Sequence, residues 1–172
     1  MKFLRVIRVD DSDDHVYSQA ARPGEWAVVG SFVFSFSDDD PATLSGKPRQ
    51  AFRNGLLGLE SFGWTTLVEI AEIAPHDYET AVMALARHLV DAYGAPTLEE
   101  ALPVARQEAE YAAGLCEEAA PGTLLAIERE SNAEGIHETF KRIQPSGATQ
   151  QTADWEGRHG EQIRIWDMLP DS

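Results

Sequence analysis

The chain reads as an α+β domain: a mostly antiparallel sheet with a helical hairpin packed on one face. Three observations predict this. Three strand-like runs fall within the first 73 residues, two helical stripes occupy residues 77–116, and strand-like runs return over 122–143. Strands, then helices, then strands, without regular alternation, is the α+β order. A length of 172 residues fits one globular domain, residues 1–172. A chain of that size buries roughly 70% of its unfolded surface and needs no covalent staple.

The elements follow in order. Residues 2–9 (KFLRVIRV) are rich in apolar and β-branched types and suit a strand covered on both sides. The acidic run Asp10, Asp11, Asp13 and Asp14 ends it. Pro23 and Gly24 mark a turn. Over residues 26–36, Trp26, Val28, Phe32, Phe34 and Phe36 alternate against Ala27, Ser31 and Ser35, the period-two pattern of a half-buried strand. Residues 37–48 hold an aspartate run, prolines and Gly46, and read as a loop. Phe52, Leu56 and Leu59 have helical spacing, which Gly55 and Gly58 weaken. Residues 64–73 read as one strand.

Tyr78, Val82, Leu85, Leu89 and Tyr93 then make one continuous helical stripe. Asp77 is the expected N-cap, and Gly94 with Pro96 the stop. Thr97 and Glu100 form a capping box for a second helix, whose stripe runs from Leu98 through Leu102, Ala105, Ala109 and Ala112 to Cys116. Pro103 should kink or restart it. The short link predicts an antiparallel hairpin of helices. Residues 122–130 and 136–143 flank five turn-like residues and suggest a β-hairpin, with a helix over 136–143 as the competing reading. Residues 144–162 are polar and read as a surface loop. Residues 163–169 end the chain as a short strand or docked tail.

Composition limits function. Twenty-nine acidic residues against 14 basic ones give a net charge of -15. Nucleic-acid binders need a positive face, and anionic membranes repel such a chain, so neither is an expected partner. Solubility is the plain reading of the charge, and a protein partner with a basic surface the functional one. A homo-oligomer stays open. Cys116 is the only cysteine, the N-terminal residues lack an apolar run of signal-peptide length, and no stretch approaches 18 apolar residues. The cytoplasm is therefore the expected location.

Few residues suggest chemistry. Asp10, Asp11, Asp13 and Asp14 form the densest carboxylate cluster and are the candidate ligands for a hard cation, but their spacing departs from the calcium-loop pattern. A solvated turn is the alternative. His76 beside Asp77 is the best general-base pair, with an exposed helix start as its alternative. Cys116 sits on an apolar stripe near a helix C-terminus, which suits a packed thiol rather than a nucleophile. No histidine pairs with another histidine or a cysteine at zinc spacing, and no phosphate-binding glycine loop or serine elbow occurs, so no cofactor is expected. Trp155 stands in a polar segment with Arg158 and His159, and these three are the candidate interface residues.

Residues 3–10 (FLRVIRVD) and 52–64 (FRNGLLGLESFGW) resemble an uncharacterised family of small bacterial proteins. The resemblance covers the first half of the chain, implies no activity and assigns no site residue. The leading expectation is a non-catalytic accessory protein that binds another protein. A small enzyme of unfamiliar type, metal-assisted through the acidic loops or using His76 and Asp77, is the second. A small-molecule binding module lined by the aromatic run is the third, and it requires a cavity.

Overall fold

In the computed structural model, residues 1–37 and 39–143 are described in full and residues 153–155 by their backbone. The strands are β1 (Lys2–Val6), β2 (Trp26–Val28), β3 (Leu56–Gly58), β4 (Trp64–Thr65), β5 (Val68–Glu72), β6 (Leu124–Asn132), β7 (Gly135–Ile143) and β8 (Ala153–Trp155). The helices are α1 (Ser12–Val16), α2 (Phe32–Ser35), α3 (Gly46–Asn54), α4 (Pro75–Tyr93) and α5 (Leu98–Cys116), with one 3-10 turn at Pro41–Thr43. Seven strands in the order β4-β3-β2-β1-β5-β6-β7 make the antiparallel sheet, and β8 extends it beyond β7. The α+β expectation holds.

The helical pair forms as its stripes require. Tyr78, Val82, Leu85 and Leu89 of α4 are buried, as are Ala105, Ala109, Ala112 and Cys116 of α5. The two helices pack on each other, and α5 lies against β1 and β2. Alanines on the α5 stripe let the pair approach closely while larger side chains on α4 and the sheet fill the core. Gly94 ends α4 in the left-handed region (φ 78°), where glycine carries no Cβ penalty. The Thr97 hydroxyl accepts a hydrogen bond from the Glu100 amide at 3.1 Å, as the capping box requires. No helix among the described residues is long and apolar enough to cross a membrane.

Several elements differ from expectation. β1 stops at Val6 rather than Val9. The aromatic run is not one strand: β2 ends at Val28, Gly30 turns the chain at φ 87°, and Phe32–Ser35 form a single helical turn. In a helical turn Phe32 and Phe36 share one side and Phe34 takes the other. Both Phe32 and Phe36 accordingly meet the Tyr93 ring at 5.4 Å, while Phe34 meets Phe52 and Trp64. Alternating phenylalanines over so short a run satisfy both geometries. The helix placed around Phe52 lies earlier, at Gly46–Asn54, with Leu56–Gly58 in a strand. The run 64–73 is two strands, because Thr65 and Thr66 turn toward Asp13.

Asp77 is not the N-cap of α4. Ala74 holds that position without a side-chain cap, and Pro75 opens the helix. Proline fits there because its missing N–H is one the first turn leaves unbonded anyway. Pro103 does not restart α5, which runs unbroken from Leu98 to Cys116. It lies on the exposed side, where water can serve the one carbonyl it leaves without a donor. Residues 136–143 are strand, and the β6–β7 turn is tighter than expected: Asn132 pairs with Gly135 across Ala133 and Glu134. Within the segment read as a surface loop, residues 153–155 pair with β7, and the remainder lies outside the described residues.

Candidate functional site

An open cleft of about 370 Å³ lies beside α2, the 3-10 turn, the start of α3 and β4. Its walls are apolar and aromatic: Val33, Phe34, Leu44, Pro48, Phe62 and Trp64. Its polar groups come from Ser18, Gln19, Ser37, Asp39 and Lys47. The Phe34 and Trp64 rings stack at 5.3 Å, and the Phe52 ring meets Phe34 edge-on at 5.1 Å. Phe62 is the only non-glycine among the described residues with positive φ, at 56°. That conformation costs about 1–3 kcal/mol and persists only where surroundings enforce it. Here the enforcement is stacking: the Phe62 ring lies flat on His88 of α4, 3.7 Å away and 8° from parallel. Burial pushes the His88 pKa down, against the pull of Asp91, so the ring is neutral at pH 7.

Behind the cleft, a fully buried arginine fixes its wall. The Arg129 guanidinium donates to the carbonyls of Ala51, Phe52 and Gly55 at the end of α3 and to Val29 at the end of β2. The Ala51 carbonyl also accepts the Gly55 amide at 2.9 Å, but the end of a helix leaves its last carbonyls short of donors, so one cation caps α3 and ties it to β2. Arg129 also donates to the Ser31 hydroxyl at 2.6 Å, and Ser31 donates to Glu138 across from it on β7. Tyr111 of α5 donates to the same carboxylate at 3.1 Å. Burial pulls the Arg129 pKa down to about 10, opposed by Glu138, so the guanidinium stays charged at pH 7. Its cation lies 5.4 Å from the centre of the Phe34 ring.

Sequence reasoning missed this network, although a signal was present. Leu125, Ile127 and Arg129 share the inward face of β6, and Ile136, Glu138 and Phe140 that of β7. Two opposite charges at facing inward positions of a hairpin announce a buried pair. The register that brings them together had to be known first.

The expected site residues disperse. Asp13 turns inward and accepts hydrogen bonds from the Thr66 hydroxyl and amide and the Thr65 hydroxyl. Asp14 pairs with Arg8 at 2.9 Å, Asp10 accepts from the Ser12 amide, and Asp11 faces His15 at 3.8 Å. No cluster of three or more metal-binding side chains occurs among the described residues. His76 and Asp77 are exposed in the first turn of α4, and neither side chain hydrogen-bonds within the described residues. Asp77 lines a separate hollow of about 230 Å³ with Trp26 and Leu59. Cys116 is fully buried, and burial pushes its thiol up to about 12, which leaves it protonated. Trp155 belongs to β8 and pairs with Phe140 through its backbone. Arg158 and His159 lie outside the described residues.

A family model matches residues 1–159, which include both stretches that carried the resemblance. The chain belongs to DUF6505, a family of unknown function. No curated protein and no solved structure matches it. The DUF6505 match takes in the cleft, the Arg129 network and every strand of the sheet.

Proposed function

We propose that this DUF6505 chain is a non-catalytic binding protein and that the aromatic cleft is its ligand site. The observation that carries the reading is the cleft itself. About 370 Å³ of concave space bounded by aromatic rings, with a few polar groups, is the usual form of a small-molecule site. The strained Phe62 on its wall supports it, because strain of this kind concentrates at ligand clamps. The buried charged groups support a binding role over catalysis: Asp13, Glu25 and Arg129 each spend their hydrogen bonds on backbone and hydroxyl groups that hold the fold.

A thermal-shift screen with small aromatic compounds tests the reading. A ligand at a hundred times its Kd adds about 2.7 kcal/mol. For this length that is roughly 5–10 °C in Tm. Phe62→Ala should abolish the shift, and Ala84→Ser in the separate hollow should leave it intact. Compounds that shift wild type and Phe62→Ala alike would place binding elsewhere and refute the cleft.

A protein partner with a basic surface is the second reading, supported by the net charge of -15. It predicts a stoichiometric complex that weakens with salt and with Trp155→Ala. A complex indifferent to both would count against it.

A further inference from the structure

We infer that Glu25, acting through Ser61, is a positioning residue of the cleft: its carboxylate fixes where Phe62 and Gln19 stand on the wall. The inference rests on the reading of the cleft as a ligand site and says what shapes that site. Neither Glu25 nor Ser61 lines the cleft. The buried Glu25 carboxylate accepts from the Glu60 amide at 2.9 Å, the Ser61 amide at 2.8 Å and the Ser61 hydroxyl at 2.6 Å. The Ser61 hydroxyl oxygen in turn accepts from the Gly63 amide at 3.0 Å. One hydroxyl thus ties the residues on both sides of Phe62 to a single buried charge. The Gly63 carbonyl takes the Gly58 amide at 2.9 Å, and a Cβ on Gly63 would stand 2.6 Å from the Ala20 backbone, so that flank is closely packed as well.

Two groups that line the cleft hang on this loop. Phe62 holds φ 56° between the tied residues, with its ring on His88. Gln19 donates its side-chain amide to the Ser61 carbonyl at 2.6 Å. A left-handed φ is strained for phenylalanine, and once the restraint is gone the strained conformer is populated roughly a tenth of the time or less. A ligand that needs that conformer loses affinity in proportion. The stack on His88 can hold the ring only where the backbone delivers it. Hydrogen bonds to a carboxylate are shorter and stronger than those to a neutral amide, which suits Glu25 to that restraint.

Ser61→Ala tests the inference gently, because Glu25 keeps the Arg22, Glu60 and residue-61 amides. Two readouts on the full chain apply: the His88 titration followed by magnetic resonance, and calorimetric titration with indole. Burial holds the His88 pKa down against the pull of Asp91, so a Phe62 ring that leaves His88 should let it rise. Ser61→Ala should raise the His88 pKa and weaken indole binding at least about tenfold. Glu25→Gln should move both readouts the same way, and Ser61→Thr, which keeps the hydroxyl, should stay near wild type. Thr97→Ala, which weakens the fold at the cap of α5, should move neither. A wild-type value of either readout in Ser61→Ala overturns the inference while the ligand-site reading stands. Equal losses in Thr97→Ala would reduce the effect to general stability and overturn it too. If wild type takes up no indole, the ligand-site reading falls and the inference with it.

Discussion

Arg129 ties α3, the end of β2 and Ser31 to the β6–β7 hairpin. Its guanidinium serves four backbone carbonyls and one hydroxyl, and faces a carboxylate across the hairpin. Arg129→Met should destabilise the fold by about 3–5 kcal/mol, because it leaves those carbonyls and a buried carboxylate without their cation. Denaturant unfolding measures this, and a loss under 1 kcal/mol would show that water or rearrangement replaces the guanidinium. Glu25 does a similar task in the opposite charge. Only 2% exposed, it accepts from the Arg22, Glu60 and Ser61 amides and the Ser61 hydroxyl. Burial raises its pKa, but those four donors outweigh burial and hold it below the usual range. A depressed pKa gives stability that is present above the ordinary glutamate value, about 4.3, and lost as pH falls through the folded value. Glu25→Gln should therefore cost about 1–3 kcal/mol at pH 7, and the gap to wild type should close below pH 4. The same gap at pH 3 and pH 7 would contradict the assignment. Cys116 was legible from its stripe alone; the native thiol should resist alkylation at pH 8 and react once the chain is unfolded.

At the scale of elements, long periodic segments were readable and short ones were not. Nineteen residues of α5 repeat an apolar stripe, so the helix survives even Pro103. The aromatic run covers too few residues for period two to be told from one helical turn, and Gly30 decides between them. Gly58 shows the same limit. Its value as a helix breaker was visible, but its purpose is tertiary: a Cβ there would stand 2.5 Å from the Glu25 carboxylate and 3.0 Å from Ala21. Since that carboxylate is pinned by its donors, Gly58→Ala should cost about 1–3 kcal/mol. Thermal unfolding of the variant checks it, and a neutral substitution would mean the Glu25 site yields. Thr97→Ala should cost α5 about 1 kcal/mol through loss of its cap.

For the whole molecule, the class was legible and the site was not. Order of elements and two helical stripes sufficed for an α+β sheet with a helical hairpin. The cleft draws on segments around residues 18, 34, 39, 47 and 62, which only the folded chain brings together. The sequence supplied its rings, yet assigned Phe34 to a strand face. The acidic residues that looked like a metal cluster diverge, each to a local partner, because neighbours in a tight turn point in different directions.

The cleft as a ligand site is the central claim, and the indole resonances of the four tryptophans test it most directly. In a proton–nitrogen correlation spectrum titrated with indole, the Trp64 signal should move saturably while the Trp26 signal stays in place. Phe62→Ala should remove that movement. A Trp64 resonance that is unmoved at millimolar probe, or that drifts linearly together with Trp26, would contradict the account.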